Sequence, residues 1–318
     1  MELRHLRYFI VVAETRHMTQ AAERLGIRQP PLSQQMKALE AEVGCELFRR
    51  HPKGVELTAG GRALLPEARA ILSRLEAATA KAALAARGLE GSITIGVTSS
   101  AAVHPIVPRL IRTYREAFPK VDLVLTDGSA ADLAERMEQG LLDAAFLRAP
   151  VIRFPRLVYH RLDAEEMLLI VPVGHPLVRK RRGAAMPQIH LKAIAQEPLI
   201  LVRRPGAPGM YSNLLDACER AGFVPRIAAE VERMLPAISF VAAGLGVSAV
   251  PASMRGVMDD EVVYCRVRGA EPELSAPLTL ACRVDEVSPT AANLVAMAIA
   301  RDFEPPQAGV RVRRSGGR

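Results

Sequence analysis

Gln29, Ser33 and Lys37 recur every four residues, so on a helix they share one face. Gln34 widens that face and Pro30-Pro31 begins it. Glutamine amides and serine hydroxyls suit base edges, and lysines suit phosphates. A second group lies further on, where Ser99-Ser100 and Gly128-Ser129 each follow a β-branched run and precede a helical stretch. Hydroxyls and free N–H groups at such junctions suit a carboxylate. Arg148 follows the apolar run 142–147, and Arg203-Arg204 follow 199–202. Their planar guanidiniums suit bidentate carboxylate binding, although each taken alone also reads as a surface arginine.

Three helices must position the first group. Leu3, Leu6, Phe9, Ile10 and Ala13 follow helical spacing, and Thr19 is expected to cap a second helix carrying Ala21, Ala22 and Leu25. Gly26 supplies a turn. Pro30 and Pro31 suit the first turn of a third helix, whose stripe is Leu32, Met36, Leu39 and Val43, ended by Gly44. This is a helix-turn-helix pattern. Residues 47–50 and 55–57 read as a hairpin about the turn His51-Pro52-Lys53-Gly54, a wing on which Arg50 and Lys53, with Arg28, hold phosphates. A plain helical bundle with an exposed polar face is the alternative. Beyond it, Leu65, Ala68, Leu72, Leu75, Thr79, Ala82 and Ala86 alternate steps of three and four. Such a seam pairs a helix with a second copy of itself, unless the helix packs on its own domain.

From residue 92 onward strands and helices alternate. Strands are expected at 92–97, 121–126, 142–147, 157–161, 167–171, 199–202, 227–231, 246–250 and 278–282. One helix spans about 103–118, and Ser129 with Asp132 forms a capping box for the next. A parallel sheet with crossover helices in two lobes follows, with a ligand crevice at the strand carboxyl ends. Gly244-Leu245-Gly246-Val247-Ser248-Ala249 fits a dinucleotide fingerprint, but here a helix precedes and a strand follows, the reverse of what pyrophosphate binding needs. The seven histidines form no HExxH motif and no hydrolase triad order. No catalytic residue, metal ligand or cofactor is expected.

Composition sets the outer limits. The 318 residues, 49% hydrophobic and 24% charged, are enough for two or three domains with full cores. A net charge of +8 points to a polyanion among the partners. The tail 304–318, with Arg311, Arg313, Arg314 and Arg318 and no acid from Pro305 onward, reads as disordered, and the basic run 179–182 as a solvated loop. The four cysteines form no CxxC pair, and the first apolar run is too short for a signal peptide, so a reduced cytoplasmic chain is expected. Residues 234–254 are uncharged but broken by Pro and Gly, and read as a core helix and buried strand, with no membrane partner expected.

Thr19-Gln20-Ala21-Ala22, Leu25, Gln29-Pro30-Pro31-Leu32-Ser33-Gln34-Gln35, Leu39-Glu40, Val43-Gly44, Leu47-Phe48, Arg50 and Leu57-Thr58-Ala59-Gly60-Gly61 together resemble the winged helix of LysR-type transcriptional regulators. The similarity continues to about residue 303 and is nearest the branch that senses aromatic-degradation intermediates. The resemblance implies a winged helix-turn-helix at 1–58, a dimerisation helix at 59–88 and a periplasmic-binding-protein-like α/β effector domain at 91–303. Within that domain, lobe I is 91–161 with 269–303 and lobe II is 162–268. It further implies double-stranded DNA as partner, homodimers assembling to homotetramers, RNA polymerase as a candidate partner, and a small carboxylate effector, aromatic or muconate-like, at Ser100 and Ser129. Arg28 stands where the family often has Ser, and Gln34 where that branch often has Arg, so base preference does not transfer. The rival reading is a solute-binding module with an N-terminal oligomerisation segment.

Overall fold

The computed structural model describes residues 1–52, 54–148, 154–178, 186–202, 211–270, 274–284 and 288–301, in two compact units that divide between Leu84 and Ala85. In the N-terminal unit, α1 (Leu3–Thr15), α2 (Met18–Leu25) and α3 (Gln29–Val43) bury Phe9, Val12, Ala21, Leu32 and Leu39 completely. Each large side chain among them contributes about 1.5–3 kcal/mol. Gly26 and Gly44, at φ 67° and 79°, end α2 and α3 in the left-handed conformation that glycine adopts without a Cβ clash. The wing pairs β1 (Phe48–His51) with β2 (Gly54–Leu57), antiparallel. Glu40 fastens it to α3, its carboxylate accepting from the N–H groups of Leu47 at 2.9 Å and Phe48 at 3.1 Å.

Two local expectations change. His17, not Thr19, stands at the N-cap of α2, so Thr19 lies inside the first turn and caps nothing. His51 pairs with Gly54, so the strands run one residue further into the expected four-residue turn. Pro66 lies in the interior of the 28-residue helix α4 (Ala59–Ala86), beyond its first turn, where its missing N–H costs the ladder one bond.

In the C-terminal unit, β3 (Gly91–Val97), β4 (Val121–Asp127) and β5 (Ala144–Leu147) form a parallel group in the order β4-β3-β5. The sheet continues through β12 (Ser275–Arg283) and β6 (Leu157–Pro172) to β11 (Val262–Arg268) and β7 (Gln188–His190), while β10 (Ser248–Pro251) also pairs with β6. A separate pair, β8 (Pro198–Val202) and β9 (Arg226–Val231), joins by a bridge between Leu199 and Val247. The first lobe's core gathers Ile93, Ile95, Phe146, Leu110 and Tyr114 from α6 (Ile106–Ala117), and Leu294 from α10 (Pro289–Ala300). The second lobe packs α8 (Ser212–Arg220) and α9 (Met234–Ala242) on its strands.

The two strands expected at 157–161 and 167–171 are one strand of 16 residues. The polar stretch Asp163, Glu165 and Glu166 reads as a break, yet there β6 crosses from one lobe to the other, pairing with β12 on one side of the crossing and with β10 and β11 on the other. The helix expected at about 103–118 is α6, which starts a turn later with Pro105 at its N-cap, and the short α5 (Ser99–Ala102) precedes it where no helix was expected. Residues 234–254 are a helix and a buried strand, as expected. Among the described residues no helix is long and apolar enough to cross a membrane. Lys53, Arg203, Arg204, the basic run 179–182 and the tail 304–318 lie outside the described residues.

Candidate DNA interface and effector site

The buried stripe of α3, Leu32, Met36 and Leu39, fixes which side faces outward. Gln29, Pro30, Pro31, Gln34 and Lys37 are exposed, Arg28 is the exposed N-cap, Thr19 is exposed on α2 and Arg50 on β1. Ser33 differs from its expectation: its Oγ is buried with no hydrogen-bond partner among the described residues, because α3 carries that residue beside the Leu32 and Met36 stripe. His5, which sequence reasoning passed over, is buried on α1 and holds Gln35 of α3 at 2.6 Å. Its signal was a polar residue four places before Phe9, on the core face.

Along α4 the expected seam divides. Ala68 has no exposed surface and belongs to the N-terminal core, against which Leu65 and Leu72 also pack. Ala68 therefore serves its own domain and offers nothing to a second copy. Leu75 is half-buried, while Thr79 and Ala82 are exposed.

In the C-terminal unit, Val97 lies opposite Asp127 and Phe146 in the parallel ladders, so residues following β3, β4 and β5 leave from the same sheet end. Ser99-Ser100, Gly128-Ser129 and Arg148 are thereby neighbours at adjacent strand ends. Ser129 caps α7 (Ala130–Glu138), its hydroxyl accepting from Asp132 N at 3.2 Å. Gly128 is packed so closely that a Cβ would lie 2.6 Å from Asp132 Oδ2. The other junction departs from expectation. Thr98 is the cap of α5, that helix has only four residues, and Ser100 is buried with its carbonyl turned to Arg148 Nη2 at 2.5 Å. So short a helix adds little field of its own, which leaves this junction only its hydroxyls and N–H groups to offer an anion.

Arg148 is 4% exposed. Its Nη1 stands 2.6 Å from Glu165 Oε1, and its Nη2 donates to Ser253 Oγ at 2.9 Å. Ser253 follows β10 and hydrogen-bonds Glu165 through Oγ at 2.8 Å, so the cluster joins both lobes to the crossing strand. The guanidinium charge is balanced by Glu165, whereas its Nε is buried without a hydrogen-bond partner among the described residues. Desolvation pulls its pKa down, opposed by Glu165. His104 Nε2 lies 3.5 Å from Asp163 and 3.8 Å from Glu165, and its Nδ1 accepts from Ile106 N at 3.3 Å. Burial holds its pKa below the ordinary value, against the two carboxylates and with Arg148. Glu165, Ser253, His104 and Asp163 were not singled out in sequence because they are scattered over 150 residues of chain. At the exposed side, Arg233 of the second lobe meets Asp127 at 2.9 Å.

Residues 3–62 match the family described as bacterial regulatory helix-turn-helix protein, lysR family, and residues 86–302 match the LysR substrate binding domain. The chain is 35% identical over 289 residues to the HTH-type transcriptional regulator AlsR of Bacillus subtilis, covering 91% of this chain and 92% of AlsR. It is also 35% identical to the regulator BudR of Raoultella terrigena over 297 residues, 93% of this chain and all of BudR. The crystal structure of full-length CbnR complexed with its target DNA superposes with a TM-score of 0.75 at 29% identity, covering 96% of this chain and 100% of that one. These relatives are regulators and not enzymes. The chain belongs to the LysR family, a DNA-binding transcriptional regulator with a winged helix-turn-helix and a two-lobed effector-binding domain.

Proposed function

We propose that residues 1–58 read a promoter operator, that 59–88 dimerise, and that 91–303 receive a small organic acid whose binding changes regulation at that promoter. Gln29, with Gln34 and Pro30-Pro31 beside it, faces base edges. Arg28, Lys37, Arg50 and Lys53 hold phosphates. Half-buried Leu75 with exposed Thr79 and Ala82 form the part of the dimer seam that lies beyond the N-terminal core, and two dimers make the tetramer that meets DNA and, at the promoter, RNA polymerase. The effector is an aromatic acid or a muconate-like product of ring cleavage, received by Ser99, Ser100, Gly128 and Ser129, with Arg203 and Arg204 as further cations.

One observation carries the effector reading: two strand-to-helix junctions and Arg148 leave one sheet end, and Arg148 Nε is buried with no acceptor among the described residues. A ligand carboxylate supplies that acceptor, next to the N-terminus of α7. The low aromatic content, 4% with no Trp, fits an anion better than a neutral sugar. Calorimetry of the full chain against benzoate, muconate and related acids tests it. Binding of one of them that weakens in Ser129→Ala supports the site, and silence across the panel removes the carboxylate class.

A further inference from the structure

Beside the amino-terminal end of α3 lies a cleft of about 370 Å3 lined by Arg4 and Tyr8 of α1 and by Ile27, Arg28, Pro31 and Gln35. Arg4 and Tyr8 are four residues apart and so share one face of α1. Among the described residues no carboxylate lines the cleft. Glu2 does pair with Arg4 at 2.8 Å, but both side chains are more than half exposed, so the pair holds Arg4 only weakly.

The orientation of the Gln35 amide follows from His5. His5 Nδ1 accepts from the backbone N–H of Glu2 at 3.4 Å, as part of a capping box at the start of α1. The ring proton must then sit on Nε2, which lies 2.6 Å from Gln35 Oε1 and donates to it. The flipped amide would set an N–H against that ring N–H, so the network excludes it. With the carbonyl end of Gln35 committed to buried His5, its two amide N–H donors belong to the cleft side.

We propose that this cleft is a seat for one phosphate of the DNA backbone, held by Arg4, Arg28, the Tyr8 hydroxyl and the Gln35 amide. The seat rests on the reading of α3 as the recognition helix. It extends the DNA-contacting surface to α1, where sequence spacing had placed no contact, and it fixes the approach of α3 through the sugar-phosphate chain. Arg28 then acts together with a neighbouring helix.

The test uses the full chain and a mixed-sequence duplex, since a phosphate contact is independent of base sequence. Anisotropy titrations over a range of salt are expected to show Arg4→Ala weakening binding several-fold, with the slope of log K against log salt shallower by about one. Gln35→Glu retains an acceptor for His5 and hence the fold, checked by circular dichroism, but turns a carboxylate oxygen toward the cleft. It is expected to weaken every duplex by tenfold or more at about 0.1 M salt. Tyr8→Phe gives a smaller uniform loss. Arg50→Ala serves as the separate control. If it flattens the slope while Arg4→Ala and Gln35→Glu bind as the parent does, the seat is wrong and the winged-helix reading stands. If the parent binds no duplex, both fall. Inorganic phosphate bound by calorimetry and lost in Gln35→Glu, without any change in DNA binding, would assign the cleft to free anion and overturn the proposal.

Discussion

In the N-terminal unit the groups available to a partner, Gln29, Gln34, Lys37 and Arg50, stand exposed on a scaffold whose core is apolar. In the C-terminal unit the corresponding chemistry is sealed: Arg148 and His104 are 4% and 5% exposed, and Glu165, Ser253 and Asp163 surround them. The difference matches what each must detect. A polyanion presents charge along its whole length and can be met by side chains that remain solvated until contact. On the proposed function a small molecule shifts the balance between lobe arrangements, and charges buried where a small displacement alters their energy suit that task.

The sharpest way to break the contrast is to unbalance the sealed cluster. Glu165→Leu leaves Arg148 buried without its counter-charge and is expected to cost about 3–5 kcal/mol, whereas Arg148→Met with Glu165→Leu should recover most of it. Urea unfolding followed by circular dichroism reads both. Equal stability of the single variant and the parent would mean that the cluster is open to water. On the exposed side, losses should appear in binding and leave stability alone. Gln29→Ala is expected to lose about 1–3 kcal/mol on the operator and little on random duplex. Equal losses on both sequences would make Gln29 a phosphate contact.

How much was legible before the fold was known also separates the two units. Helix limits, glycine stops and the wing were readable because they are local, fixed by a 3.6-residue stripe, by Gly26 and Gly44, and by short-range pairing. Even there, His17 displaced Thr19 as the cap and Ser33 turned inward. The strand ends that place Ser129 and Arg148 were visible as alternation. The partners of Arg148 were not, since Ser253 lies 105 residues away and Glu165 sits in a polar stretch that local pattern reads as a loop. The seam of α4 shows the same limit, because spacing cannot tell Ala68, buried in its own domain, from Ala82, exposed two heptads further on.

Ser129 allows a smaller and more selective comparison. Its hydroxyl caps α7, so Ser129→Ala is expected to cost about 1 kcal/mol of stability through the cap alone. Ser129→Asn retains a capping oxygen and should restore most of that loss. If the residue also receives the effector, Asn changes effector affinity while leaving the unfolding midpoint near the parent's. Variants that differ in stability and agree in effector affinity would reduce Ser129 to a cap.

The smallest expected effect is a slope against pH. Because Nδ1 of His104 accepts from Ile106, its proton is on Nε2, directed between Asp163 and Glu165, with Arg148 close by. Burial dominates those charges and depresses its pKa below 6.5. As the pH falls through that ordinary value, the unfolded chain takes up a proton that the folded chain refuses, so stability declines and then levels off below the folded value. Attraction to the carboxylates opposes the burial, which keeps the decline shallow. His104→Gln can accept from Ile106 and donate to the carboxylates without titrating, so it should lose this part of the slope between about pH 7 and about pH 5. Unfolding free energies of parent and variant that run parallel over that interval would show that His104 takes its proton as easily folded as unfolded, and that the cluster is wetter than its burial implies.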